Sequence, residues 1–186
     1  MPCQPRQAVE FEGVLLLGAV ERSLRVTQMR KKIIGPFPDI TSLASQEGWL
    51  DLKRLAQVEI TSEDAAHPVE SALAPGLEPG WRAAQPGEQA IRILFDEPQR
   101  LRRILLVFDE CERARTQEFV LRWSADSGRT YREIVRQQYN FSPSGTVREV
   151  EDYGVELEGV TTLELRVVPD VSGGDSCASL AMMRLG

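Results

Sequence analysis

From Asp51 onward, hydrophobic and polar residues alternate in short segments that are separated by turn residues. Leu163, Leu165 and Val167 share one face of one such segment. Successive side chains of a strand point to opposite faces, so alternation with a period of two is typical of half-buried strands. Eight segments are predicted as strands: Leu55–Thr61, Ala90–Phe95, Leu101–Phe108, Gln117–Ser124, Thr130–Gln138, Thr146–Val150, Thr162–Val168 and Ser179–Leu185. This spacing predicts an all-β fold, an antiparallel sandwich or barrel.

The first 50 residues have a different character from the rest of the chain. Pro36 and Pro38, within these 50 residues, interrupt regular structure before the strand-rich part begins. We therefore divide the chain into an N-terminal extension, residues 1–50, and a β-domain, residues 51–186. Met29 is an alternative start, which would make residues 1–28 an artefact of start-codon choice. The extension is either an extra strand or helix on the domain or a dimerisation arm, and the oligomeric state stays open.

The apolar run at residues 14–20 is too short to span a membrane. Glu10 and Glu12 precede it, where a secretory signal needs positive charge. Cys3, Cys111 and Cys177 are scattered and odd in number, so they do not form a disulfide framework. The sequence predicts reduced thiols, a cytoplasmic location and no membrane partner.

Composition narrows the chemistry. The 22 Lys and Arg against 28 Asp and Glu give a net charge of −6, which disfavours DNA as a partner without excluding a local basic patch. His67 is the single histidine, so a site built from a histidine pair is excluded. No phosphate-binding glycine loop and no nucleophile elbow is found. We therefore predict a protein that is not an enzyme.

Residues 124–131 match the pattern Ser-x-Asp-x-Gly-x-Thr-aromatic, which is known as the Asp-box in sialidases and other β proteins. Asp126 can accept backbone N–H groups across a turn, and Gly128 supplies a positive φ. The aromatic Tyr131 is expected to pack under the hairpin. The motif therefore predicts a structural turn and no catalytic role.

Three segments carry candidate binding residues. Trp81 and Arg82 follow a Pro/Gly-rich loop and form either an exposed aromatic platform with an Arg fork or a core tryptophan that pins the loop. His67 is either a ligand contact or a capped loop residue. Tyr139 and Asn140 begin a polar-aromatic segment, residues 139–145, which is either a binding loop or an ordinary long hairpin.

The order of these segments resembles the discoidin, or coagulation factor 5/8 type C, branch of the galactose-binding-like superfamily over about residues 52–186. The matching segments are Val58–Asp64, Val69–Leu73 followed by Trp81, Ile91–Phe95, Phe119–Gly128 and Leu163–Val167. The resemblance implies a jelly-roll β-sandwich that recognises a carbohydrate through loops at one end. Trp81 would then stack on the sugar, and Arg82, His67 and Asn140 would supply hydrogen bonds.

Two features qualify this resemblance. Many discoidin domains hold a structural calcium, but here Ala74 stands where the family has a ligating Asp, so we predict no cofactor and regard calcium as doubtful. In addition, residues 81–88 and 141–144 resemble segments of the N-terminal domain of the eukaryotic single-strand-break repair scaffold. Two functions therefore stay open: a non-catalytic, lectin-like carbohydrate-binding module, or an intracellular protein-binding adaptor connected with DNA repair.

Overall fold

The computed structural model describes residues 48–74, 76 and 79–186. The predicted N-terminal extension therefore lies almost wholly outside the described residues. The described part of the chain forms two short helices and eight strands in this order: α1 (Leu52–Leu55), β1 (Ala56–Ile60), α2 (Val69–Leu73), β2 (Trp81–Pro86), β3 (Gln89–Asp109), β4 (Arg115–Ser124), β5 (Arg132–Phe141), β6 (Arg148–Val168), β7 (Cys177–Leu180) and β8 (Met182–Leu185).

The strands form an antiparallel jelly-roll sandwich, which confirms the predicted fold class. The main sheet has the order β1-β3-β6-β4-β5, with β8 also paired to β3, and β2 pairs with β7. The first half of β3 pairs with β1 and with the end of β6, whereas its second half pairs with β8 and with the start of β6. The long strands β3 and β6 therefore bend from one layer of the sandwich into the other.

These long strands explain the main differences from the predicted strand bounds. Residues 90–95 and 101–108 lie on the single strand β3, and residues 146–150 and 162–168 fall on β6 or at its start. The register of the β3–β6 pair shifts between Leu94 and Arg103, around Pro98. The bend breaks the hydrophobic alternation without ending the strand, so the pattern predicted two strands at each place.

Alternating residues of the strands fill the core between the layers. Ile91 and Ile93 of β3 face the same side as their partners Leu165 and Leu163 of β6, and all four are buried. Across the sandwich, the rings of Phe108 and Phe119 stack with centroids 5.2 Å apart. The period of two in the sequence thus reports correctly which faces are buried.

The Asp-box forms the turn between β4 and β5, as the sequence predicts. The Asp126 carboxylate accepts hydrogen bonds from the Ser124 hydroxyl at 2.6 Å and from the Thr130 N–H at 2.9 Å. The Ser124 bond is the largest of the effects that lower the pKa of Asp126. Gly128 has a φ of +78°, and a Cβ there would lie 3.0 Å from the Tyr131 hydroxyl oxygen. The motif is therefore a structural turn, and the Ser127 N–H also ties it to the Thr161 hydroxyl of β6 at 2.9 Å.

A polar cluster lies on the inner faces of β5 and β6, close to where the chain enters β6. Gln137 donates from Nε2 to the carboxylates of Glu149 and Glu151, and its Oε1 accepts from the Tyr153 hydroxyl at 3.0 Å. Glu149 is only 2% exposed. Burial, together with the hydrogen bond and negative charge of Glu151, raises the pKa of Glu149 to about 8.

This pKa shift predicts a pH dependence of stability. A carboxyl group with a raised pKa in the folded state favours folding when it is protonated, so its contribution is complete below pH ~4.5 and is lost as the pH rises through about 8. Between pH 5 and 9, we expect the free energy of unfolding to fall by about 3 kcal/mol less in Glu149→Gln than in native protein. Urea denaturation at several pH values measures it. Glu156→Gln, an exposed change on the same strand, is the control, and equal pH profiles for native protein and Glu149→Gln would contradict the prediction.

Candidate functional site

Five loops meet at one end of the sandwich, which we call the loop end: residues 61–68, 87–88, 110–114, 142–147 and 169–176. Direct bonds hold the loops together. The Glu110 N–H donates to the Val147 carbonyl at 2.8 Å, and the Gly87 N–H donates to the Ser176 carbonyl at 3.3 Å. This end is set by the topology, because β3 and β6 bend at the opposite end and return here.

Arg82 and His67 are brought together at the loop end. The Arg82 N–H donates to the His67 carbonyl at 3.1 Å, and the Arg82 carbonyl accepts from the Asp64 N–H at 2.9 Å. The Arg82 side chain is 43% exposed and lies 3.7 Å from the Glu112 carboxylate. The His67 Nδ1 lies 3.4 Å from Asp64 Oδ2. These two predicted residues therefore share one surface, with their backbones fixed and the Arg82 side chain accessible.

A buried arginine supports this surface from below. Arg115 lies with Nε 3.0 Å from Glu110 Oε2, and its Nη1 donates to the Cys177 carbonyl at 2.9 Å. Burial lowers the pKa of Arg115, and the nearby Glu110 charge opposes that effect. Arg115 thus ties the loop after β3 to β7, next to the strand that carries Arg82.

The outer part of the loop end carries an ion pair, Arg113 with Asp175, and one exposed apolar side chain, Val171. Arg113 donates to Asp175 at 2.6 Å, and this bond lowers the pKa of Asp175. Val171 is 46% exposed and is the large hydrophobic side chain that stands most open among the described residues. The surface therefore offers donors, acceptors and one apolar contact to a polar ligand.

The structure corrects the expectation that Trp81 is an exposed platform. Trp81 is 1% exposed, its position on β2 pairs with Leu180 of β7, and its Nε1 donates to the Ser62 carbonyl at 3.3 Å. Neither face of the ring is left for a sugar. Trp81 instead pins the loop 61–68 to the core, which is the alternative that the sequence had left open.

Tyr139 and Asn140 lie on β5, so the binding loop predicted at residues 139–145 is shorter and begins at Ser142. Tyr139 is half-buried, packs edge-on against Phe141 and donates to the Arg148 carbonyl at 3.2 Å. The Asn140 Oδ1 accepts from the Thr116 hydroxyl at 2.7 Å. No hydrogen bond or ion pair between described residues joins either residue to Arg82 or His67.

The described residues also bear on the predictions about thiols, metal binding and membrane spans. Cys111 lies at the loop end and Cys177 begins β7, and both are free thiols. Within residues 48–74, 76 and 79–186, no group of three or more His, Cys, Asp or Glu side chains is placed to hold a metal ion. Neither described helix has the length or the apolar character needed to cross a membrane.

Sequence reasoning did not assign Glu112, Arg113, Val171 or Asp175 to the site. Arg113 and Asp175 are 62 residues apart along the chain, and in the sequence each is typical of an ordinary solvent-exposed charge. The signal that could have found them was the position of their segments, since loops between strands that end on the same side must meet.

No protein-family model matches the sequence, and no curated protein matches it either. Solved structures do match the fold. A pectin-binding carbohydrate-binding module has a TM-score of 0.54 at 15% identity, over 72% of this chain and 91% of that one. The CBM32 module of AlyQ, in complex with 4,5-unsaturated mannuronic acid, has a TM-score of 0.53 at 14% identity, over 71% of this chain and 95% of that one.

A third match has a TM-score of 0.58 at 17% identity and covers 80% of this chain and 38% of that one. It is the structure of the CBM32-1 and CBM32-2 domains of Clostridium perfringens ZmpB in complex with GalNAc. This protein has the galactose-binding-like fold. The resemblance that the sequence indicated is therefore confirmed at the level of the fold.

Proposed function

We propose that this protein is a non-catalytic carbohydrate-binding module that holds its ligand at the loop end. The observation that carries the proposal is the shared sandwich: the proteins matched above contain carbohydrate-binding modules, and two of their structures hold GalNAc and 4,5-unsaturated mannuronic acid. Proteins that share a fold can bind different ligands, so the ligand of this protein depends on the residues at its own loop end.

The loop end suits recognition of sugar hydroxyl groups. Arg82 presents exposed N–H donors, and Glu112 and Asp64 present carboxylate acceptors. A backbone bond holds the spacing between Arg82 and Asp64. A hydroxyl both donates and accepts, so paired charges of opposite sign match it better than a patch of one sign. With Trp81 buried, binding rests on these hydrogen bonds and on the apolar contact at Val171.

The absence of catalysis belongs to the same proposal. His67 lies beside Asp64, and among the described residues no hydroxyl or thiol hydrogen-bonds to its ring. Catalysis by a histidine needs a nucleophile or a reacting proton within reach, so the proposal gives His67 a binding role and no catalytic step. The cytoplasmic location and the protein-binding adaptor stay predictions, and the second of these becomes the leading hypothesis if no glycan binds.

The test is a glycan array followed by calorimetric titration of the best ligand. We expect Arg82→Ala to weaken binding about ten-fold or more, because a hydrogen bond from a charged donor is lost. Arg100→Ala is the matched control: Arg100 is similarly exposed and pairs with Glu156 at the opposite end of the sandwich. Equal affinity of Arg82→Ala and native protein would overturn the assignment to the loop end, and a blank array would overturn the carbohydrate proposal.

A further inference from the structure

A cavity separate from the loop end lies on the flank of the sandwich, along β1. It has a volume of about 780 Å³ and opens between α1 and β1 on one side and α2 and β8 on the other. This volume is within the range of small-molecule sites, roughly 300–1,000 Å³. Its walls carry both apolar and charged side chains, and the apolar ones include Ala56, Val58, Ile60, Val69, Leu73 and Ala74.

The side chains of β1 explain why this flank is open. Val58 and Ile60 point to the same side as their partners Ile93 and Ile91, which are fully buried in the core. Val58 and Ile60 are only partly buried, because they line the cavity. The inner face of the edge strand thus continues the apolar core into a space that the described residues do not fill.

One charged group in the cavity wall has no ion-pair partner among the described residues. Arg184 of β8 lines the cavity and is 5% exposed. Its Nη1 donates to the Leu73 and Met183 carbonyls, and it makes no ion pair with any described carboxylate. Its pKa is lowered, with burial as the cause. An arginine stays protonated in proteins, so a positive charge is held here with no described carboxylate at ion-pair distance.

We propose that this cavity binds a monocarboxylate with an aliphatic body, whose carboxylate pairs with Arg184 and whose chain lies against Val58 and Ile60. A carboxylate supplies the missing counter-charge and can accept two N–H bonds from one guanidinium. The aliphatic part fills the apolar walls and excludes water from them.

The acidic side chains around the cavity fit this orientation. Three acidic residues line the cavity and are exposed to solvent: Asp51, Glu63 and Glu70. The Glu63 carboxylate accepts a hydrogen bond from the Val69 N–H at 2.7 Å. Charges exposed to water are screened, whereas an interaction at the buried guanidinium is screened much less. Lys53 is also exposed at the rim. The anionic head of a ligand is therefore favoured inside, at Arg184, and its aliphatic chain runs along β1.

The test is calorimetric titration of the full chain with decanoate, with decanol as the uncharged probe of the same chain length. We expect decanoate to bind at low millimolar concentration or better, and decanol to bind about ten-fold more weakly or not at all. Arg184→Met keeps the aliphatic stem and removes the charge, so it is expected to weaken decanoate about ten-fold or more. Arg54→Met, a change in α1 outside the cavity lining, is the matched control.

A second variant keeps the test decisive if Arg184→Met does not fold. Ala56→Trp fills the cavity from its partly exposed side and leaves Arg184 in place, so it too is expected to abolish decanoate binding. The proposal is overturned if native protein shows no decanoate binding, if decanol binds equally well, or if folded Ala56→Trp binds as native protein does. Glycan binding at the loop end is measured separately from decanoate binding, so either proposal can be overturned without the other.

Discussion

Replacing Trp81 with alanine is expected to lower the free energy of unfolding by about 4 kcal/mol, the largest single effect that the structure predicts. Trp81 is 1% exposed, so the change leaves a cavity of nearly a whole indole ring in the core. It also leaves the Ser62 carbonyl without the hydrogen bond from Trp81 Nε1. Urea denaturation followed by far-ultraviolet circular dichroism measures the loss.

The control for this prediction is Trp123→Ala. Trp123 is only partly buried, with the Arg132 guanidinium 5.6 Å from its ring centroid, so a smaller loss of about 2 kcal/mol is expected. If Trp81→Ala stayed within about 1 kcal/mol of native protein and still lost glycan binding, the ring would be a ligand contact after all. That outcome would restore the stacking role that the sequence suggested.

The second large effect is expected from Glu164→Gln. Glu164 lies on the outer face of the main sheet, yet its carboxylate is fully buried under three arginines. Arg122 and Arg166 bond to Oε1 at 2.6 Å, and Arg92 bonds to Oε2 at 2.7 Å. Burial alone would raise the pKa of Glu164, but the three arginines outweigh it and lower that pKa to about 2.

Removing this charge leaves three guanidiniums facing each other around an amide. The arginines are partly exposed, so we expect a loss of about 2–3 kcal/mol at pH 7, somewhat less than for a fully buried pair that is broken. A lowered pKa stabilises the fold above pH ~4.5, and this contribution is lost as the pH falls towards 2. The difference between native and variant protein should therefore shrink in acid.

Chemical denaturation at pH 7 and pH 3 tests this prediction. Glu59→Gln is the matched control, since Glu59 is an exposed partner of Arg92 and its removal is expected to cost less than about 1 kcal/mol. Equal stabilities of the two variants at pH 7 would show that Glu164 is not the organising charge of this face.

The sequence predicted the sandwich because the core positions follow the strand period. Ile91 and Ile93 on β3 and Leu163 and Leu165 on β6 alternate in the chain and meet in the core. The Asp-box was also predictable, since the bonds that Asp126 makes to Ser124 and Thr130 are local. What the period could not give was the bend of β3 and β6, because a strand that crosses between layers interrupts its own alternation.

The candidate site was only partly predictable. Arg82 and His67 were identified by residue type, and the structure brings them together through the backbone. Trp81 was ambiguous, because an aromatic residue after a loop fits a platform and a core anchor equally well. Contacts such as Arg82 with Glu112, and the unpaired charge of Arg184 beside β1, depend on segments that are distant in sequence and could not be found from local patterns.

The most direct test of the central claim is to map a bound glycan on the protein by amide nuclear magnetic resonance shifts. The array supplies the ligand, and the spectrum of the full chain is recorded with and without it. We expect the shifts to concentrate in residues 61–68, 110–114 and 169–176 and at Arg82, and to leave the Asp-box turn at residues 124–131 unchanged. Shifts at that opposite end, or along β1 beside Arg184, with none at the loop end would contradict the account.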